Sequence, residues 1–132
     1  YCGPRTVSFH MAQALTGHGC FQQYLWSKSR AQNPACFHFP AEVDDVEHTL
    51  FICMFWDAER RELVESLGRQ ARPEDVIDLL CGSVVNELPV NPHQRRMIME
   101  SARKAVFTKM VEEIIGKKEE WERTRQRVDA EA

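Results

Sequence analysis

The stretch NPHQRRMIMESARKAVFTKMVEEIIGKKEEWERTRQR, residues 91–127, decides the fold class. Asn91-Pro92 is helix-start chemistry, with proline suited to the first turn. Behind it an apolar stripe runs through Ile98, Ala102, Val106, Met110 and Ile114, broadened by Ala105, Val111 and Ile115. Spacing of three and four residues is the period of an α-helix with one buried face. Carried through to Arg127, such a helix is about 55 Å long at about 1.5 Å per residue. Gly116 interrupts the stripe, and beyond it charge lies on all sides except at Trp121. The tail from about residue 117 is therefore expected to fray or to extend from the fold.

Upstream, helix signals recur and no convincing strand pattern appears. Gly3-Pro4 reads as loop, and Ser8 can cap a helix carrying Phe9, Met11, Ala12 and Leu15, which Gly17 and Gly19 break. A second helix is expected over residues 20–29, with Phe21, Tyr24 and Leu25 on one side and Lys28 and Arg30 at its end. Asn33-Pro34 opens a loop to about Val43. Asp44 then reads as a helix cap, with Glu47 at the capping-box position, ahead of His48, Leu50, Phe51 and Ile52. Residues 56–67 form a charged helix stopped by Gly68. Pro73-Glu74-Asp75 starts another, carrying Val76, Ile77, Leu79 and Leu80, with Gly82 as its stop. The expected fold is all-α: a small helical domain with a Cys/His loop and a long C-terminal helix. Two segments, 1–68 and 69–132, are expected to form one compact domain.

The chain has 132 residues, 43% of them apolar, enough for one modest core. Its formal charge of −3 argues against a basic nucleic-acid binder overall, but the charge is unevenly spread. Residues 41–65 hold eight acidic and two basic side chains; residues 91–127 hold ten basic and six acidic. Five widely spaced cysteines do not suit a secreted disulfide scaffold and point to a reducing compartment, nuclear or cytoplasmic. No apolar run nears the roughly 18 residues of a membrane span. Tyr1 in first place suggests a processed piece or a fragment of a longer chain.

Thiols and imidazoles concentrate in one segment. Cys36, His48 and Cys53 have nearly the spacing of a zinc knuckle, with Phe39 where a Cys-x2-Cys turn needs its second thiol. His48 and Cys53 lie five residues apart, so on a straight α-helix they point about 140° from each other. Both can reach one ion only if the helix ends or bends near Cys53. His38 or a water is a substitute fourth ligand. The competing reading is that the cysteines and Phe39 are plain core residues. Thiol–imidazole pairs for nucleophilic chemistry, Cys20 with His18 or Cys53 with His48, would need a geometry that spacing alone does not give.

The strings LTGHGCFQQYL (15–25), NPACFHF (33–39) and EVDDVEHTLFIC (42–53), followed by Trp56 and ERREL (59–63), resemble the C-terminal region of arthropod non-LTR retrotransposon polyproteins, the class that inserts into ribosomal RNA genes. The resemblance covers residues 12–67 strongly and the remainder loosely. It implies a Cys-Cys-His-Cys zinc segment in which Cys36, His48 and Cys53 take ligand places and Phe39 stands for the second cysteine. It implies a parent chain with endonuclease and reverse transcriptase upstream, and no catalytic residues within this stretch. The implied role is a nucleic-acid-binding accessory to target-primed reverse transcription. RNA or DNA would be held by Lys28, Arg30, Arg95, Arg96, Arg103, Lys104 and Lys109, with Phe37 or Phe39 stacking on an unpaired base. The alternative is a protein-interaction module that packs on the upstream polymerase body or self-associates through the 98–115 stripe, as a degenerate or host-adopted copy.

Overall fold

A computed structural model describes residues 8–81 and 90–131, with side chains for 8–80 and 102–128. The Gly3-Pro4 loop, the Gly82 stop and the side chains of His93, Arg95, Arg96 and Ile98 lie outside that description. The fold is all-α. Its helices are α1 (Phe9–Thr16), α2 (Gln22–Ser27), α3 (Asp57–Leu67), α4 (Val76–Cys81) and α5 (Val90–Glu131). A π-helical turn, His48–Ile52, and two short 3₁₀ turns, Met54–Trp56 and Pro73–Asp75, complete the order. The β pairing among the described residues is one isolated antiparallel bridge, Ala35 with Val43.

The long helix is the beam of the molecule. At 42 residues it is about 63 Å long, and α1, α3 and α4 all pack against it. The buried seam runs through Phe107, Met110, Val111, Ile114 and Ile115. It meets Met11 and Ala14 of α1, Leu63 of α3, Leu79 and Leu80 of α4, and Leu50 and Trp56 between them. The expected stripe holds at Met110, Val111, Ile114 and Ile115, with Val106 packed against the core, and is corrected at its alanines. Ala102 and Ala105 are exposed, and the seam turns about Phe107, the largest apolar side chain available on that stretch. A ring of that size removes far more apolar surface from water than an alanine methyl does.

The tail stays on the fold as far as Arg125. α5 continues through Gly116 to Glu131, and the line of Phe107, Val111, Ile114 and Ile115 is extended by Lys118 and Glu122, both buried. Trp121 lies at ring-stacking distance from Phe55 and Trp56. Arg125 reaches back to the carbonyl of Arg30. The sequence hides this half of the seam because two of its buried members are charged.

Local punctuation follows the sequence closely. The Ser8 hydroxyl accepts the Met11 N–H as a helix cap, and Gly17 closes α1 in the left-handed conformation, φ 74°. Gly19 also has a positive φ, 94°, which favours glycine there; a Cβ would fall 2.9 Å from the movable end of the Gln13 side chain. The second helix is shorter than expected, Gln22–Ser27. The His18 ring stacks on Tyr24 at 4.6 Å. Gly68 ends α3 in the left-handed conformation, as expected.

Candidate metal centre

The segment from Pro34 to Asp44 folds back on itself. Cys36 N–H donates to the Glu42 carbonyl at 2.9 Å, Glu42 N–H to Phe39 O at 2.9 Å, and Asp44 N–H to Pro34 O at 2.9 Å. This narrow loop carries Cys36 inward, where it is 5% exposed. The chain then enters a short helix whose cap is Asp45, not Asp44: the Asp45 carboxylate accepts the His48 N–H at 2.9 Å. Asp44 is drawn away because it is buried among better partners. Its carboxylate accepts from Gln22 N–H at 2.9 Å, the Thr49 hydroxyl at 2.7 Å and Lys118 Nζ at 2.7 Å. One carboxylate thereby ties together α2, the π turn and α5, and its charge is compensated as burial demands.

The π turn solves the geometric problem posed by His48 and Cys53. Its closing bond runs from Cys53 N–H to His48 O at 2.6 Å, a five-residue ring in place of the four-residue ring of an α-helix. The wider turn carries Cys53 back toward the side of His48, and the helix ends there, with Cys53 extended at φ −61°, ψ 117°. Arg60, 3% exposed, caps this end. Its guanidinium donates to Thr49 O at 3.1 Å and to Cys53 O, and is held by Asp57 at 2.9 Å. It satisfies carbonyls left open by the end of the turn and sets a positive charge at a helix C-terminus.

The outcome is a buried group of three ligand atoms, from Cys36, His48 and Cys53, all within 4.8 Å of one another. The two sulfurs are 3.9 Å apart. That is far beyond a disulfide bond of about 2.05 Å and close to the separation of about 3.8 Å set by two zinc–sulfur bonds of about 2.3 Å in a tetrahedron. Both ring nitrogens of His48 are buried and without a hydrogen-bond partner. Such a group costs about 1–3 kcal/mol per unmet polar atom, and a cation shared with two thiols removes that cost at one nitrogen. Burial pushes the Cys53 thiol upward, as does neighbouring Cys36, against the opposing pull of Arg60 and a backbone hydrogen bond with Phe55. A cation entering here displaces protons. The donor set can hold a metal ion.

Phe39 is half-buried, and its ring meets His48 edge-on with centroids 6.4 Å apart. His38 is not among the converging ligands. Its ring lies parallel to Phe55 at 3.5 Å and edge-on to Trp121 at 5.4 Å. Burial, then the charge of Lys118, lowers its pKa below 6.5. Among the described residues no hydrogen bond joins Cys20 to His18 or Cys53 to His48, although the Cys53 and His48 ligand atoms lie within 4.8 Å of each other.

The described basic residues do not form one patch. Arg30 meets Arg125 near the C-terminal end of α5, with Lys28 close by in sequence. Arg103 donates to Ser66 O at 3.4 Å and Lys109 bridges Glu62 at 3.1 Å, well toward the other end. From Lys109 to Arg125 is about 24 Å along the axis. Lys28 and Arg30 are exposed, Lys104 is half-exposed, and Phe37 is 55% exposed. Of the described part of the apolar stripe, Met110, Val111, Ile114 and Ile115 lie in the chain's own core, and Ala102 and Ala105 are exposed. No described helix is long and apolar enough to cross a membrane. Comparison with family models, with curated proteins and with solved structures finds no match to this chain.

Proposed function

We propose that this chain is a zinc-organised accessory module from the C-terminal region of a non-LTR retrotransposon polyprotein. Cys36, His48 and Cys53 hold one zinc ion, and the module assists the upstream polymerase in holding RNA or DNA within a reducing compartment. The observation that carries the metal reading is His48: an imidazole with both nitrogens buried and unpartnered, beside two buried thiols. A mixed nitrogen and sulfur donor set of this kind is zinc chemistry. With three protein ligands, water completes the set. The ion's part is structural: it fixes the 34–44 loop to the π turn. Asp45 supports His48 by accepting its backbone N–H. The retrotransposon origin rests on the sequence strings of residues 15–63.

Nucleic-acid contact falls to two separated sets, Lys28 and Arg30 at one end of α5 and Arg103, Lys104 and Lys109 toward the other. Such spacing suits a strand running along the helix rather than a compact grip. Fluorescence anisotropy with a labelled single-stranded RNA tests it. Affinity should fall steeply as salt rises, and Lys28→Ala/Arg30→Ala should flatten that dependence by about two phosphate contacts. Salt-independent binding, or none, rejects the nucleic-acid role. A protein-interaction role is the second reading. It is favoured by Ile52, Met54 and Phe55, all substantially exposed beside the candidate metal centre. Self-association that is insensitive to salt would support it.

A further inference from the structure

Cys36 and Cys53 are 17 positions apart in sequence, yet their sulfurs lie 3.9 Å from each other. Among the described residues this is the one pair of thiols within hydrogen-bonding range; Cys20 is half-buried and free. The backbones that carry the pair are pinned. Cys36 N–H donates to the Glu42 carbonyl at 2.9 Å and Cys53 N–H to the His48 carbonyl at 2.6 Å, while the Cys53 carbonyl accepts from Arg60. Phe39 stands where a Cys-x2-Cys turn would set a competing thiol. Each of the two sulfurs therefore has a single thiol partner in reach.

Oxidation of such a pair has a defined course. A thiolate oxidised by peroxide becomes a sulfenic acid, which a neighbouring thiol condenses with before a second oxidation can carry it to sulfinic acid. A thiol already held at 3.9 Å makes that condensation intramolecular. Closing the gap to a bond of about 2.05 Å asks for side-chain rotation, not for the two segments to be brought together. Both thiols are buried, Cys53 more deeply than Cys36, which favours a small oxidant and makes Cys36 the first to meet it. In a reducing compartment a disulfide formed this way is transient, as a sensing bond is.

We infer that Cys36 and Cys53 are a reversible oxidation site, closed to a disulfide by a hydroperoxide, and that closure empties the metal centre. The Cys36 thiolate attacks one peroxide oxygen; the O–O bond breaks, the sulfur becomes a sulfenic acid and hydroxide leaves. Cys53 then attacks that sulfur; the S–S bond forms, the S–O bond breaks, and the departing hydroxyl takes the Cys53 proton and leaves as water. The two sulfurs give up two electrons in all and the peroxide takes them. Two of the three protein ligands are consumed, so only His48 remains for a metal ion. The new bond ties the 34–44 loop to the end of the π turn, the same two segments that the ion would join, so the fold persists while the metal leaves. The loss of metal rests on the zinc reading above; the bond between the sulfurs does not.

The test is peptide mapping of the reduced full chain, with and without added zinc, after exposure to excess hydrogen peroxide. Trypsin cuts after Arg30 and Arg60, and residues 31–60 contain Cys36 and Cys53 and no other cysteine. That peptide is expected to become lighter by two hydrogen atoms and to lose both alkylation sites, and dithiothreitol should restore them. Fragmentation separates this change from oxidation of Met54. In the zinc-loaded chain about one ion per chain should reach a chromophoric chelator in step with the mass change. Cys20→Ser should oxidise like the native chain, and Cys53→Ser should lose the two-hydrogen change. A native peptide that keeps both thiols, or that gains oxygen on sulfur instead, overturns the inference. So does zinc released without the bond, or retained once it has formed. A chain that takes up no zinc yet forms the bond refutes the zinc reading and supports the oxidation site.

Discussion

At the residue scale the account turns on a few side chains whose partners are far away in sequence. Lys118 and Asp44 are 74 positions apart, both nearly buried, and 2.7 Å from each other. Replacing Lys118 by alanine strands a buried carboxylate that still accepts two other hydrogen bonds. The expected loss is about 3–5 kcal/mol, the usual cost of breaking a buried pair from one side. Urea denaturation measures it, and a loss below about 1 kcal/mol would show that water reaches Asp44 freely. Phe39 is the counterpart at the metal centre. Phe39→Cys should raise zinc affinity, because a second thiolate in the Cys-x2-Cys turn completes the set of four. Competition with a chromophoric chelator reads this directly; equal affinity in both forms would mean that position 39 does not face the ion. The ligand types were legible in the sequence from spacing. The exclusion of His38 was not, because nothing local marks a ring that prefers to stack on Phe55 and Trp121.

At the element scale, the junction of α1 with α5 is an ionic clasp. His10 Nδ1 lies 2.5 Å from Glu112 and Nε2 lies 3.1 Å from Glu119, while the Ser8 hydroxyl donates to Glu112 at 2.5 Å. The hydrogen bond to Glu112, then that to Glu119, holds the His10 pKa above 6.5 despite the opposing effect of burial. Burial pushes Glu112 up, but Ser8 and His10 together outweigh it and keep the carboxyl below 4.5. The stability from His10 is complete below about pH 6.5 and is lost as pH rises through its raised value; that from Glu112 is complete above about pH 4.5 and is lost as pH falls. The difference in melting temperature between the native chain and His10→Gln should therefore be greatest between those limits and shrink toward pH 8 or higher. A pH-independent difference would remove the clasp. Helix boundaries at Ser8, Gly17 and Gly68 were readable because caps are local chemistry. The π turn was not, since the sequence from His48 to Ile52 satisfies an α-helix equally well. It is the burial of Leu50, the Asp44 carboxylate on Thr49 and the Arg60 cap that favour the wider ring.

At the scale of the whole molecule, α5 organises the helices and the candidate metal centre organises what lies between them. The all-α class followed from the period of residues 91–127. The inward face followed too from Met110 to Ile115, but beyond it did not, because the seam passes into Lys118 and Glu122, which no apolar pattern contains. The three ligands converge from the narrow loop, the π turn and its end, so that metal would crosslink segments otherwise held by few backbone hydrogen bonds. Structural zinc contributes roughly 10–16 kcal/mol in small finger peptides; with three protein ligands and an independent core, a smaller share is expected here. The measurement that tests the central claim most directly is the zinc content of the reduced, purified chain, with a thermal melt before and after chelation. The account predicts near one zinc per chain, a lower melting temperature once it is removed, and little zinc in His48→Ala. A cooperatively folded native chain without zinc, unmoved by the chelator and by added zinc, would contradict it.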